Sequence, residues 1–290
     1  YDFNPMIWYY NNDWLGERGL MPPSQNWDVE DLRTYLTKLA YDVDGTATTR
    51  RYATYNPVQP ENTGAGWAVQ WYHNWTGNEW LNESRTKAMV DSPEVVEMLS
   101  YWKELQDYSH AIPPPGPYSS SDFFNGKVAM LETFLSQAFN FVATTSFEWG
   151  ANVPVKGPKN QRAFGQAHMF SLPASGSGQK FEAAWRFAEW LGSRKGQEAL
   201  IDSLGARQPI SSYASLWNRF FAQLDPAKSA GFGAWVVSTL YEGNYPRSFL
   251  YWETFPEISK IMQEHVDNIF NKGEPIANEM SNAARRMQLV

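Results

Sequence analysis

The chain has 290 residues, 43% of them hydrophobic and 19% charged, enough to bury one large or two modest cores and too apolar for wholesale disorder. Its net charge of −7 argues against nucleic acid or an anionic lipid surface as a general partner. The lack of cysteine excludes disulfides, thiol nucleophiles and thiolate metal sites, and no apolar run reaches membrane-spanning length.

In chain order, Met6-Ile-Trp-Tyr-Tyr10 predicts a strand, followed by Asn11-Asn-Asp-Trp-Leu15 with a stop at Gly19. Pro22-Pro-Ser-Gln-Asn-Trp27 leads to a helix capped near Asp28, where Val29, Leu32, Tyr35, Leu36 and Leu39 share a face. Val43-Asp44-Gly45 is a turn, and residues 56–66 form a Pro/Gly-rich loop. A helix runs from Trp67 to about Trp75 and ends before Gly77. Ser92-Pro93 is an N-cap with proline in the first turn, opening a helix with Val95, Met98, Leu99, Trp102 and Leu105 on one face.

Pro113 to Pro117 is a stiff linker. The end of an amphipathic helix at Asp122-Phe-Phe is turned by Asn125-Gly126 into a short buried strand, Val128-Ala-Met-Leu131. A second strand stops at Pro154, and a third, apolar one lies within Phe164 to Pro173. Helices at about 179–191 and 194–204 flank Gly192-Ser193. The last helix pair opens at a capping box, Thr254-Phe-Pro-Glu257, breaks at Asn271-Lys-Gly273 and resumes after Pro275. Strands alternating with helices predict an α/β fold.

Three of these segments carry a resemblance: Phe123-Phe-Asn-Gly-Lys-Val-Ala-Met130, Trp149-Gly-Ala-Asn-Val-Pro154 and Ala183-Ala-Trp-Arg-Phe187. With the opening Tyr9-Tyr-Asn11, Leu15, Gly19-Leu20, Pro22-Pro23 and Trp27, their order resembles the sugar-binding extracellular solute-binding proteins of ABC importers, of the maltose-binding-protein-like type. The resemblance implies a two-lobed periplasmic-binding-protein-like (class II) α/β fold. Residues 1–158 and 235–290 would form the C-terminal lobe, and 159–234 a partial N-terminal lobe with crossover segments. In the family the opening pattern lies well inside the protein. The resemblance therefore implies that the first half of the N-lobe, and any lipoprotein signal, is deleted, cleaved or carried by another chain as a partner. It also implies a carbohydrate ligand, an oligosaccharide foremost, held in an interlobe cleft on the extracellular side of the membrane or in the periplasm. Permease subunits would be the protein partners, with no cofactor, no metal and no catalysis.

Aromatic residues make up 16% of the chain; such rings fill cores or stack on the apolar faces of pyranose rings while Tyr and Trp keep a polar handle. Trp67 follows the Gly-rich loop where relatives place a cleft aromatic, with core packing the competing role. Glu132, Phe134 and Ser136 follow the Ala-Met strand, where relatives expose ligand contacts; Phe134 and Ser136 depart from the Gly and Trp common there. Gln166 and His168 replace a Gly-Gly loop and either meet a hydroxyl or form an internal polar pair. Arg207 donates to sugar oxygens or to a surface carboxylate. Tyr245, Arg247 and Trp252 precede the Thr254 helix, where the family places a stacking aromatic.

Two other readings stay open: a glycosidase drawing its carboxylate pair from Glu79, Glu132, Glu148 and Glu253, and a solute-binding protein for glycerol phosphate or a polyamine. His73, His110, His168 and His265 lack metal-ligand spacing. Asp42-Val-Asp44-Gly45 lacks the later ligands of a calcium loop. Asn74-Trp-Thr76 and Asn82-Glu-Ser84 match glycosylation sequons by coincidence.

Overall fold

The computed structural model describes residues 2–46, 50–59, 67–114, 116, 120–138, 145–168, 171–204, 215, 216, 219, 222 and 254–290. Strand β1 (Asp2–Asn11) organises it. Its C-terminal half pairs antiparallel with β4 (Met130–Phe134) on one side and β5 (Trp149–Asn152) on the other, Trp8 standing opposite both Glu132 and Asn152. Its N-terminal half pairs instead with β6 (Gly165–His168), Asn4 opposite Gln166 and Asp2 opposite His168. A single strand thus serves two pairings end to end.

Both faces of β1 are covered, which is why Met6 to Tyr10 reads as an unbroken apolar run rather than an alternation. On one face Tyr9 packs against Trp149 and Phe123. On the other, Trp8 meets Trp27 edge-to-face at 5.7 Å, and Trp8 and Tyr10 join a core shared by several helices. These are α1 (Asn12–Glu17), α2 (Val29–Leu39), α3 (Trp67–Thr76) and α4 (Pro93–Asp107). The expected caps are made at the first helices. Asn11 accepts from the Trp14 amide, Asp28 and Asp31 form a reciprocal capping box, and the Ser92 hydroxyl accepts from Val95. The Pro22-Pro23 segment is tied down at both ends: Asn152 donates to the carbonyls of Pro23 and Ser24, and the Trp27 indole donates to the Val153 carbonyl at 2.9 Å.

Three features differ from the sequence reading. A short hairpin, β2 (Tyr41–Asp42) with β3 (Arg50–Arg51), flanks the Asp44-Gly45 turn. After α5 (Ser120–Phe124) the predicted strand begins later, at Met130. The Asn125-Gly126 turn continues into an isolated bridge between Val128 and Tyr52, so the chain reaches β1 two residues downstream of expectation. Thr254 precedes α8 (Phe255–Lys272), following α6 (Gly178–Gly192) and α7 (Arg194–Leu204) in the chain, but makes no side-chain cap. Its backbone, at φ −91° and ψ 9°, is not in the extended conformation that aims a capping hydroxyl at the helix amides.

Helices α8 and α9 (Ile276–Met287) return to pack on the same core as α2 to α4. They are clipped by a buried cluster in which Glu279 accepts from His265 Nδ1 (2.6 Å) and Asn268 (2.7 Å). The Arg286 guanidinium, which can only donate, meets His265 Nε2 at 3.1 Å, so that nitrogen is the acceptor and the proton sits on Nδ1. Helix α6, by contrast, buries only Leu191 and leaves Trp185, Phe187 and Trp190 on its surface.

Gly150 explains one residue of the Trp149-Gly pair. It stands opposite Tyr10 in the ladder, and a Cβ at this position would clash with the hydroxyl end of the Tyr10 ring. Gly150→Ala should therefore destabilise the protein by about 1–3 kcal/mol through overpacking. Chemical denaturation would show this as a lowered midpoint at constant slope, and an unchanged midpoint would contradict it.

Candidate functional site at the strand junction

The junction on β1 lies at Pro5 and Met6. The Pro5 carbonyl accepts from Leu135, just past β4, while the Met6 amide donates to the carbonyl of Phe164, just before β6. Ser136 is locked here by Asn4: its amide donates to Asn4 Oδ1 and its hydroxyl accepts from Asn4 Nδ2, both at 3.0 Å. Phe134, opposite Met6, is partly exposed and its ring lies 6.2 Å from that of Phe164.

Helix α3 laces the incoming segment to this junction through residues spaced i, i+3 and i+4. Asn74 accepts from the Arg162 amide and donates to its carbonyl, the His73 carbonyl accepts from Asn160, and Gln70 Oε1 accepts from the Phe164 amide. Asn74 is buried, with its side-chain oxygen and nitrogen both hydrogen-bonded to Arg162. Beside this lacing is a small recess of about 20 Å³, room for about one water, lined by Val69, Gln70, His73, Glu79, Arg162, Ala163 and Phe164.

Glu132 lies behind Gln70 and is only 7% exposed. One carboxylate oxygen accepts from Gln70 Nε2 and the other from the Trp71 indole at 2.7 Å. Burial pushes its pKa up to about 8, and the donors around it, the Trp71 and Trp8 indoles and Gln70, pull it back only part of the way. The carboxyl group is therefore largely neutral at pH 7, engaged inside the protein rather than facing open solvent.

Of the residues singled out from the sequence, Glu132, Phe134 and Ser136 are gathered at the junction, with Gln166 and His168 placed there by backbone register. Trp67 opens α3, and its side chain is outside the described ones. Arg207, Tyr245, Arg247 and Trp252 lie outside the described residues. Sequence reasoning passed over Gln70, Asn74 and Arg162. The available signal was three polar positions, Gln70, His73 and Asn74, aligned on an otherwise aromatic helix. Among the described residues there is no metal-binding cluster of His, Cys, Asp and Glu, and no helix long and apolar enough to cross a membrane.

The arrangement defines a two-lobed binding-protein fold. An ABC substrate-binding protein from Listeria monocytogenes in complex with cycloalternan superposes with a TM-score of 0.78 at 19% identity, over 99% of this chain and 70% of that one. A solute-binding protein from Thermotoga lettingae bound with α-D-tagatose gives 0.75 at 17% identity, over 100% and 71%. UgpB from Mycobacterium tuberculosis in complex with glycerophosphocholine gives 0.75 at 14%, over 100% and 69%. No curated protein sequence matches the chain. Residues 1–223 match the family model described as bacterial extracellular solute-binding protein, and the chain belongs to that family. It is a binding protein and not an enzyme, which sets aside the glycosidase reading.

Proposed function

We propose that this chain binds an uncharged carbohydrate, an oligosaccharide foremost, between two lobes and presents it to the permease of an ABC importer on the outer face of the membrane. The lobes would be residues 1–158 with 235–290, and 159–234. The observation that carries this reading is β1, whose two halves pair with different strands while segment 159–164 runs alongside. Two neighbouring crossing segments are what a hinged pair of bodies needs to close on a solute. The listerial and thermotogal relatives were solved with a cyclic oligosaccharide and a ketohexose respectively, which supports a sugar.

In this reading Phe134, Ser136, Gln166 and His168 contribute from the junction, and Trp67, Tyr245, Trp252, Arg207 and Arg247 complete the lining. Aromatic faces would stack on the sugar, and amides and guanidinium groups would satisfy hydroxyls that otherwise go unpaired on burial.

Calorimetric titration with cycloalternan, maltotriose, tagatose and glycerophosphocholine tests the reading. A sugar should bind, and Trp252→Ala should weaken it about tenfold, the scale of one lost stacking contact with its burial. Binding of glycerophosphocholine alone would replace the sugar by a zwitterionic solute. Binding of none would overturn the sugar assignment.

A further inference from the structure

The hydrogen bonds around Glu132 have a dictated polarity. The Phe164 amide can only donate, so Gln70 must offer it Oε1 and turn Nε2 toward Glu132. The Trp71 indole also can only donate, so Glu132 must accept at both oxygens. Phe164 is consequently held from two sides, its carbonyl by Met6 of β1 and its amide by Gln70 of α3.

Phe164 immediately precedes β6, the strand on which the N-terminal half of β1 depends. We infer that Gln70 and Glu132 act as a positioning pair that fixes where segment 159–164 enters β6, and so sets the angle at which the two lobes meet. This rests on the proposed two-lobed closure. Other ties of the segment, made by Asn74, Asn160 and Gln161, bind it upstream of Arg162 or at it. Gln70 ties the amide of its last residue before the strand, whose carbonyl Met6 holds.

An apolar buried side chain at 132 would fill the space, but it would leave Gln70 Nε2 without its acceptor. Gln70 could then hold Phe164 through Oε1 only by burying an unpaired N–H, a cost that weakens the tie. The carboxyl group is thus the acceptor that lets Gln70 hold Phe164 with both ends of its amide satisfied.

Amide hydrogen exchange on the full chain tests this without any ligand. Above about pH 9, where the Glu132 carboxyl group is ionised and has no proton of its own, Glu132→Gln places a donor among donors and should speed exchange at Phe164 about tenfold, as should Gln70→Ala, which removes the tie alone. The double swap Gln70→Glu with Glu132→Gln restores every polarity: the new carboxylate accepts from Phe164 and from the new amide, whose oxygen accepts from Trp71. It should return Phe164 to within about threefold of the original rate. Small-angle scattering should shift in Glu132→Gln and revert in the swap.

Unchanged Phe164 exchange in Gln70→Ala, or a swap that exchanges as fast as Glu132→Gln, would overturn the inference. An unchanged scattering profile in both single variants would do the same for the lobe angle. Should Glu132→Gln fail to fold, Gln70→Ala and the swap carry the test. Because none of these readouts needs a sugar, their failure counts against the positioning pair, whereas a failed sugar titration counts against the proposed solute.

Discussion

Trp102→Ala is expected to lower the free energy of unfolding by about 4 kcal/mol, near the top of the range for emptying a core site. Trp102 is fully buried on α4 and stands edge-on to Trp71 of α3 at 4.8 Å and to Tyr101 at 5.5 Å. Its loss costs the transfer of a large apolar surface and leaves a cavity that the aromatic neighbours, themselves fixed by T-shaped contacts, cannot close. Trp71 is also the indole that donates to Glu132, so the damage should spread to the buried carboxyl group. Trp102→Phe separates the contributions. The indole N–H of Trp102 is buried without a hydrogen-bond partner among the described residues, so removing it relieves a desolvated donor. Phenylalanine should recover most of the loss, leaving a deficit of about 1–2 kcal/mol for the smaller ring. Urea denaturation with a constant slope measures both. A deficit under about 1.5 kcal/mol for the alanine variant would show that the site collapses and that the aromatic cluster is not the main brace between α3 and α4.

How much of this was readable beforehand depends on the range of the interaction. Local rules placed α2 and α4, because Asp28 and Ser92 announce their caps and the apolar positions recur with helical spacing. They placed the strand at Met6–Tyr10 as well, through β-branched and aromatic content. They failed at Thr254, where composition matched a capping box but the backbone turned the hydroxyl away. They missed the β2–β3 hairpin, since two-residue strands leave too little pattern to detect.

The junction was half legible. The resemblance groups Glu132, Phe134 and Ser136, and β4 sets Glu132 and Phe134 at alternate positions of one strand with Ser136 just beyond it. What no local pattern could supply is the partner of each. Ser136 is satisfied by Asn4, 132 residues away, and Glu132 by Gln70, 62 residues away. A carboxylate in a sequence carries no mark of whether it will face water or an indole, and that burial decides its protonation state. Gln70 and Asn74 were hidden for the complementary reason. Amides are common on helix surfaces, and only the packed segment 159–164 turns them into ties.

The buried carboxyl group gives the second large expected effect, in the dependence of stability on pH. Glu132 has a pKa of about 8 in the folded protein against 4.5 for an ordinary glutamate side chain, as in the unfolded chain. Between those values the folded state holds a proton that the unfolded state has released, so raising the pH favours unfolding. The stabilisation is complete below about pH 4.5 and is lost as pH rises through about 8. At its steepest the slope is about 1.4 kcal/mol per pH unit.

Other carboxylates act with the opposite sign lower down. Glu264 and Asp267 are held below their usual range by hydrogen bonds from Arg286 and Asn271, so their contribution is present above their unfolded pKa and fades on acidification. The clean window is therefore pH 5 to 8. Across it the stability of the protein, measured relative to the non-titrating Glu132→Gln variant, should fall by about 3 kcal/mol and then level off above pH 9. Subtracting the variant removes the titration of every other group that the substitution leaves in place. A difference that stays flat across the window, or rises with pH, would mean that Glu132 is ionised in the folded protein and that its donors outweigh its burial. Acceptance from Gln70 and Trp71 would then be charge-assisted, and the Glu132→Gln variant should lose correspondingly more stability at every pH.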